Sequence, residues 1–222
     1  MAVDVPAILR RTQLLGSLPD ADLQAVAAAS RLRSYRRGQL VFSKDDPGDT
    51  VIVVVSGRVK VVVRSADGAE LTLTIVQPGG TVGDLSVADR GPRSADAEAL
   101  DDCRLLLVPN ELIAVLCSRV PSVTQALLSS VAGTLRRLTG AASDLVFLDL
   151  PRRVAKVLLS QPKGEDGVIA LRMSQEELAH QVGGSRQSVN AALRGFERRG
   201  WIELRDRSVT VRQPDALALF AN

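Results

Sequence analysis

Apolar residues change their spacing several times along the chain, and each change marks a different kind of element. From Asp4 to Ala29 they fall at helical intervals, and Pro19-Asp20 opens a short helix over Leu23–Ala29. Between Arg31 and Pro109 the apolar runs shorten, and Gly38, Gly48, Gly57, Gly68, Gly79, Gly83 and Gly91 punctuate them at roughly ten-residue intervals. Val51–Val55 and Val59–Val63 are β-branched runs joined by Ser56-Gly57, which predicts a hairpin. Asp67-Gly68 marks a second turn before Glu70–Val76. A string of short strands of this kind predicts a barrel or a sandwich.

Helical spacing returns at Asn110, first through Arg119 and then from Pro121 to about Leu148. The second helix would be roughly 40 Å long, more than a domain of this size needs internally. Its apolar seam is Leu127, Val131, Thr134, Leu138, Ala141, Leu145 and Leu148, alternating steps of four and three. That heptad spacing predicts a parallel partner helix and hence a homodimer. The alternative is packing on the chain's own domain, a role also open to Leu128, Leu135 and Val146. Gly133 and Gly140 each weaken the helix by about 1 kcal/mol relative to alanine.

Asp149 and Pro151 then break the chain and start a helix over Arg152–Ser160, followed by a polar loop, Gln161–Gly167. Ser174 and Glu177 form a capping box, Gly183-Gly184 stops that helix, and Ser185 caps the next. Leu178, Val182, Val189, Leu193 and Phe196 are spaced to share a core. Trp201–Leu204 and Val209–Arg212 flank Arg205-Asp206-Arg207-Ser208 as a second hairpin, a wing. Arg186 breaks a local rule, because the helix macrodipole disfavours a cation in a first turn. Helix N-termini in helix-turn-helix elements are where base edges are read, so Arg186 marks a candidate double-stranded DNA contact.

Charge supports that placement once it is divided. Residues 1–148 hold 16 Lys/Arg and 16 Asp/Glu, whereas residues 149–222 hold 12 and 9 and carry the whole net +3. Seven arginines lie between Arg186 and Arg212, a basic patch suited to phosphate. The 222 residues, 45% hydrophobic, suffice for more than one core. No apolar run is long enough for a signal peptide or a membrane span, so the expected location is the cytoplasm. Cys103 and Cys117 read as buried thiols, and the lone His180 as a surface or backbone-contact residue. With no P-loop, zinc spacing or nucleophile–base pair, the residues favour a binding protein over an enzyme.

A β-rich domain, a long dimer helix and a C-terminal winged helix-turn-helix resemble the cAMP receptor protein/FNR (Crp–Fnr) family of bacterial transcription regulators. The residues that carry the likeness are RGQLVFSKDDPGDTVIVVVSGRVKV (37–61), GDLS (83–86), GPRSA (91–95), FLDLPRRVAKVLL (147–159) and SRQSV (185–189). The resemblance implies an α+β chain: an N-terminal jelly-roll-like β-roll effector domain (1–119), a dimerisation helix (120–148) and a winged helix-turn-helix (149–222). It also implies a cyclic-nucleotide pocket built from Gly83, Asp84, Leu85, Ser86, Arg93, Ser94, Leu138 and Thr139. Arg93 would pair with the cyclic phosphate, and Ser94 would add a hydroxyl. Asp84 stands where cAMP receptors carry glutamate, one methylene longer, and Leu138 replaces a hydrogen-bonding residue beside Thr139. Cyclic AMP, another cyclic nucleotide, a cyclic dinucleotide or no effector at all are therefore open, as is a salt bridge from Arg93 to Asp89.

On the reading helix the likeness implies base or phosphate contacts by Ser185, Arg186, Gln187, Ser188 and Asn190. Relatives commonly carry Ser-Arg-Glu-Thr-Val there, so Gln187 and Ser188 depart from the pattern, and Ala191 stands in place of a later arginine. Arg186 keeps the donors for a bidentate guanine contact. The cysteines are too few for an iron–sulfur cluster, and no histidine in the effector region suggests haem. RNA polymerase is an implied partner. The competing reading is a nucleotide-binding module whose winged domain contacts protein.

Overall fold

Asp4 caps the first helix of the computed structural model, which describes residues 4–161, 169–171, 173–205 and 208–221. Its Oδ1 accepts from Ala7 N at 3.1 Å, starting α1 (Val5–Arg10). The helical stretch foreseen over 4–29 is divided, with turns separating α1 from α2 (Asp20–Ala29). By backbone contacts the chain forms two compact units. One is Met1–Val63 with Leu73–Arg137, and the other is Arg64–Thr72 with Leu138–Asn222.

The strands up to Pro109 form two four-stranded sheets. One has the order β1 (Arg31–Tyr35), β8 (Cys103–Pro109), β3 (Thr50–Ser56), β6 (Thr81–Val82). The other runs β2 (Leu40–Phe42), β7 (Asp96–Ala99), β4 (Val59–Arg64), β5 (Glu70–Val76). Residues alternate between two cores along β3. Ile52 and Val54 join Val59, Ala97, Ala99 and Leu105 between the sheets. Val51 and Val53 turn the other way, joining Leu9, Leu23, Ile113 and Val123 under the helices. A strand buried on both faces needs a continuous apolar run, which is why Val51–Val54 shows no polar alternation.

The expected hairpin of Val51–Val55 with Val59–Val63 does not form, because β3 and β4 lie in different sheets. Ser56-Gly57 is a corner that carries the chain across the roll. Gly57 has φ 76°, and a Cβ there would sit 2.5 Å from Asp102 O. Glycine is required by both facts.

After α3 (Asp84–Asp89) and the closing strands come α4 (Asn110–Arg119) and α5 (Pro121–Phe147). Among the described residues no single helix is long and apolar enough to cross a membrane. The face α5 turns to its own domain differs from the expectation. Val123 and Leu127 are buried in the helical core with Val131 against it, an i, i+4 stripe. Leu128 and Leu135, for which packing inward was only the alternative, are 59% and 65% exposed, and Val146 is exposed as well. Of the other seam positions, Thr134 and Leu148 are half-buried, while Leu138, Ala141 and Leu145 are exposed. Leu127 thus leaves the seam read off the spacing for its own domain's core, while Leu138, Ala141 and Leu145 keep to the open side of α5.

In the second unit, Asp149 Oδ1 accepts from Arg152 N at 3.0 Å and starts α6 (Leu150–Leu159). β9 (Ile169–Leu171), α7 (Gln175–Val182), α8 (Arg186–Arg198), β10 (Ile202–Arg205), β11 (Ser208–Val211) and α9 (Pro214–Ala221) follow. The sheet order is β10-β11-β9. Val154, Leu158, Leu178, Val182, Val189, Leu193, Phe196 and Leu217 form one core. Phe196 lies 5.8 Å from Trp201 and 5.6 Å from Phe220, ring centre to ring centre. The polar loop beyond Gln161, and the wing-tip residues Asp206 and Arg207, lie outside the described residues.

Candidate functional site

In the first unit the site is organised by Arg93, which is only 3% exposed. Its backbone is fixed by reciprocal bonds to the loop before β3: Arg93 N donates to Asp46 O and Asp45 N donates to Arg93 O, both at 2.9 Å. Its Nη2 donates to Thr50 O at 2.6 Å and to Thr50 Oγ1 at 3.2 Å. The guanidinium carbon stands 4.2 Å from the centre of the Phe42 ring, within cation–π range. Nε and Nη1 are buried and have no partner among the described residues. Burial pulls the guanidinium below the ordinary arginine pKa, against the opposing charges of Asp49 and Asp46. A buried cation with two unused donors is costly unless an anion completes it. The alternative of a salt bridge to Asp89 is not what the side chain makes, since Asp89 Oδ1 accepts from Gly91 N instead.

Gly83 lies under that guanidinium. With φ 93° it is left-handed, and a Cβ on it would sit 2.1 Å from Arg93 Nη1. The glycine thus holds open the space beside the unpartnered nitrogen. Asp84 opens α3, and its Oδ2 accepts from Thr81 Oγ1 at 2.8 Å and from Ser130 Oγ at 2.6 Å. Asp84 Oδ1 is buried without a partner. Leu85 is exposed, whereas Ser86 is buried against Gly48, on which a Cβ would sit 2.3 Å from Ser86 Oγ. Ser94 is exposed. Gly83, Asp84 and Arg93 are therefore brought together. Leu138 and Thr139 belong to the second unit and are both exposed. A cavity of about 560 Å³ adjoins Arg93, with Arg31, Arg33, Tyr35, Phe42 and Thr50 in its walls.

Sequence reasoning missed Thr50, Thr81 and Ser130. None has a local signature, because each matters through a contact with a residue distant in the chain or around a turn. Thr50 meets Arg93 across 43 residues and Ser130 meets Asp84 across 46.

In the second unit the helix-turn-helix is held by its caps. Ser174 Oγ accepts from Glu177 N at 3.1 Å, and Ser174 N donates back to Glu177 Oε2 at 2.7 Å. Gly183 is left-handed with φ 62°. Arg153 secures the turn from beneath, its Nε donating to Val182 O at 2.9 Å and its Nη1 to Leu148 O at 2.8 Å. Ser185 Oγ accepts from Ser188 N at 3.1 Å and lies 2.9 Å from Ser188 Oγ, so both hydroxyls are used in the cap. Val189, Ala192, Leu193 and Phe196 bury one face of α8, while Arg186, Gln187, Ser188 and Ala191 are exposed. Asn190 Oδ1 accepts from Arg194 Nε at 3.3 Å, which brings Arg194 onto the open face. Arg186 borders a cavity of about 380 Å³ shared with Ser174, Glu176 and Ser208.

The basic patch is narrower than the arginine count suggests. Arg205 and Arg212 both bond Glu203, and their bonds, Arg212's foremost, hold that carboxyl below its ordinary pKa. Arg199 stands 4.8 Å over the Trp201 ring. Among the described residues Arg186, Arg194 and Arg198 remain as the exposed cations of α8. His180, expected to meet backbone or solvent, has Nδ1 3.3 Å from Glu70 Oε1.

These two constellations coincide with the regions that match known families. Residues 32–120 match the cyclic nucleotide-binding domain, and residues 152–220 match the Crp-like helix-turn-helix domain. The CRP-like cAMP-activated global transcriptional regulator of Mycobacterium tuberculosis is 36% identical over 217 residues, covering 95% of this chain and 97% of its own. The cyclic AMP receptor protein of Thermus thermophilus is 29% identical over 213 residues, covering 96% and 98%. Among solved structures, FixK2 of Bradyrhizobium japonicum superposes with a TM-score of 0.77 at 25% identity, over 86% of this chain and 96% of that one. The c-di-GMP-responsive regulator CLP of Xanthomonas campestris gives 0.75 at 25% identity, over 87% and 99%. With a β-roll ahead of a long helix, a capped helix-turn-helix with its wing behind it, and relatives matched from end to end, the chain belongs to the Crp–Fnr family of transcription regulators.

Proposed function

We propose that the chain is a homodimeric transcription regulator whose affinity for double-stranded DNA is set by a cyclic nucleotide, with cyclic AMP the leading candidate. The observation that carries the effector reading is Arg93, buried with Nε and Nη1 unpartnered above a glycine that keeps the adjoining space clear. Those donors suit a cyclic phosphate, and Asp84 Oδ1 suits a sugar hydroxyl. Ser86, Leu85, Ser94, Leu138 and Thr139 complete the proposed ligand set. Cyclic AMP is favoured because two relatives that match over nearly the whole chain are described as cAMP-activated or cAMP receptors. A cyclic dinucleotide is the second candidate, on the likeness to CLP.

In this reading residues 1–119 form the effector domain, 120–148 the dimerisation helix and 149–222 the DNA-binding domain. The exposed leucines of α5, Leu128, Leu135, Leu138 and Leu145, supply apolar surface for a second copy. Two copies of α8 would then enter successive major grooves about 34 Å apart on a pseudo-palindrome. Arg186 would read a guanine, Gln187, Asn190 and Arg194 would contact neighbouring edges or phosphates, and Ser185 and Ser188 would hold the helix start. RNA polymerase is the proposed further partner, in the cytoplasm.

The test is DNA affinity measured with and without cyclic AMP, cyclic GMP and cyclic dinucleotides, for the wild type and Arg186→Ala. One ligand is expected to tighten binding, and by linkage DNA must tighten that ligand by the same factor. Arg186→Ala is expected to cost about 1–3 kcal/mol and to blur one guanine position. Equal affinity under every ligand would leave a DNA binder without effector control, and an unchanged Arg186→Ala would leave the protein-contact reading.

A further inference from the structure

Asp84 is held in a way that a shorter carboxylate needs. Its Oδ2 receives two hydroxyl donors, Thr81 Oγ1 at 2.8 Å and Ser130 Oγ at 2.6 Å, which together use both of that oxygen's lone pairs. Its Oδ1 receives none and is sealed from water. The carboxylate is thus pinned about its Cβ–Cγ bond, with one oxygen committed and the other left as a lone acceptor. A buried acceptor without a partner is unfavourable, and it discriminates strongly between a ligand that brings a donor and one that does not.

Resting on the cyclic-nucleotide reading, we infer that Ser130 is a positioning residue that makes the site select ribose over deoxyribose, by reserving Asp84 Oδ1 for the sugar hydroxyl. Ser130 does this from α5, so the same hydroxyl that orients Asp84 also ties the sugar's acceptor to the long helix. Without Ser130, Oδ2 keeps only the Thr81 donor and has a lone pair to spare, so the carboxylate turns more easily and Oδ1 can share that donor. A ribose ligand then no longer relieves a stranded Oδ1, and its advantage over a deoxy ligand disappears. Thr81 holds the same oxygen from β6 and should act in the same direction. The selection therefore comes from two hydroxyls that do not touch the ligand.

The experiment is calorimetric titration of the full-length protein with cyclic AMP and with 2′-deoxy cyclic AMP. The wild type is expected to prefer the ribose form about tenfold or more. Ser130→Ala is expected to bring the two affinities to within about threefold of one another, and Ser130→Thr, which keeps the hydroxyl, to restore the preference. A purely structural role would shift both ligands equally and leave their ratio alone. Thr81→Val provides a second variant with the same expected narrowing, which serves if Ser130→Ala does not fold. A wild-type preference retained in full by Ser130→Ala and Thr81→Val overturns the inference and leaves the cyclic-nucleotide reading standing. A wild type that binds both forms equally has the same outcome, whereas one that binds neither overturns both.

Discussion

Replacing Arg93 with methionine removes the charge and the forked donors but keeps an unbranched side chain against Phe42. Two contacts are lost: the Nη2 bonds to Thr50, worth about 1.5–3 kcal/mol for a charged donor, and the Phe42 cation–π contact, worth about 1–2 kcal/mol. Against them stand two buried donors without partners, each costing about 1–3 kcal/mol. Desolvation of the charge adds to that cost, and Asp46 and Asp49 relieve part of it. The opposing sums are similar, so the ligand-free protein is expected to change by no more than about 1 kcal/mol, or a few degrees in Tm. Removing an ordinary buried, fully paired arginine would instead cost about 3–5 kcal/mol. The ligand response should behave very differently. At a cyclic nucleotide concentration of about 100 Kd the wild type gains about 2.7 kcal/mol of stability, and Arg93→Met should gain none. Thermal melts with and without cyclic AMP measure both quantities in one series. An apo loss above about 3 kcal/mol, or an intact ligand shift, would refute the idea that Arg93 is kept for an anion at no benefit to the fold.

Gly183→Ala forces a left-handed residue to carry a Cβ, 3.2 Å from Leu145 Cδ2, and should destabilise the winged unit by about 1–2 kcal/mol in chemical denaturation. No loss would mean the turn relaxes out of that conformation. Asp101 is held below the ordinary carboxylate pKa, first by its hydrogen bonds from Arg58 at 2.6 and 2.9 Å. The stability it adds is present above about pH 4 and is lost as pH falls through its depressed value. Asp101→Asn should therefore show a deficit under about 1 kcal/mol at neutral pH, since both partners are partly solvated, and the deficit should shrink in acid. A pH-independent difference in urea melts would contradict this. Burial raises the Cys103 thiol above its ordinary pKa, with Sγ at 3.1 Å from the carbonyls of Arg58 and Asp101. Native alkylation at neutral pH should leave Cys103 unmodified until denaturant is added, and a labelled Cys103 peptide from native protein would show otherwise.

What the chain disclosed in advance was mostly what is decided locally. The capping box at Ser174, the helix stop at Gly183 and the break with a new helix at Asp149 all act within four residues, and each appears as foreseen. The corner at Ser56-Gly57 was misread because a glycine with positive φ serves a hairpin and a crossover equally well. Only the pairing of β3 with β8 and of β4 with β7 distinguishes them. On α5 the spacing left a related choice open. Steps of four and three accommodate both Leu127 and Leu128, and the choice depends on which neighbours bury Val123 and Leu127. At the candidate site, Arg93 and Gly83 stood out as residue types, but their mutual contact, and the parts taken by Thr50, Thr81 and Ser130, depend on closure of the roll.

That closure bears on how the protein is made. Among the described residues β1 pairs only with β8, Arg31 opposite Leu107 and Tyr35 opposite Cys103, so the first strand to leave the ribosome waits for the last strand of the roll. Until then Val51–Val54 can pair only with the two residues of β6 and is a sticky segment. Contacts this distant in sequence make the roll intrinsically slow to form. The winged unit pairs β10 with β11, Arg205 opposite Ser208, and can complete this local pairing at once. Refolding of the full chain is therefore expected to show the helix-turn-helix protected from hydrogen exchange before the roll, even though the roll is synthesised first.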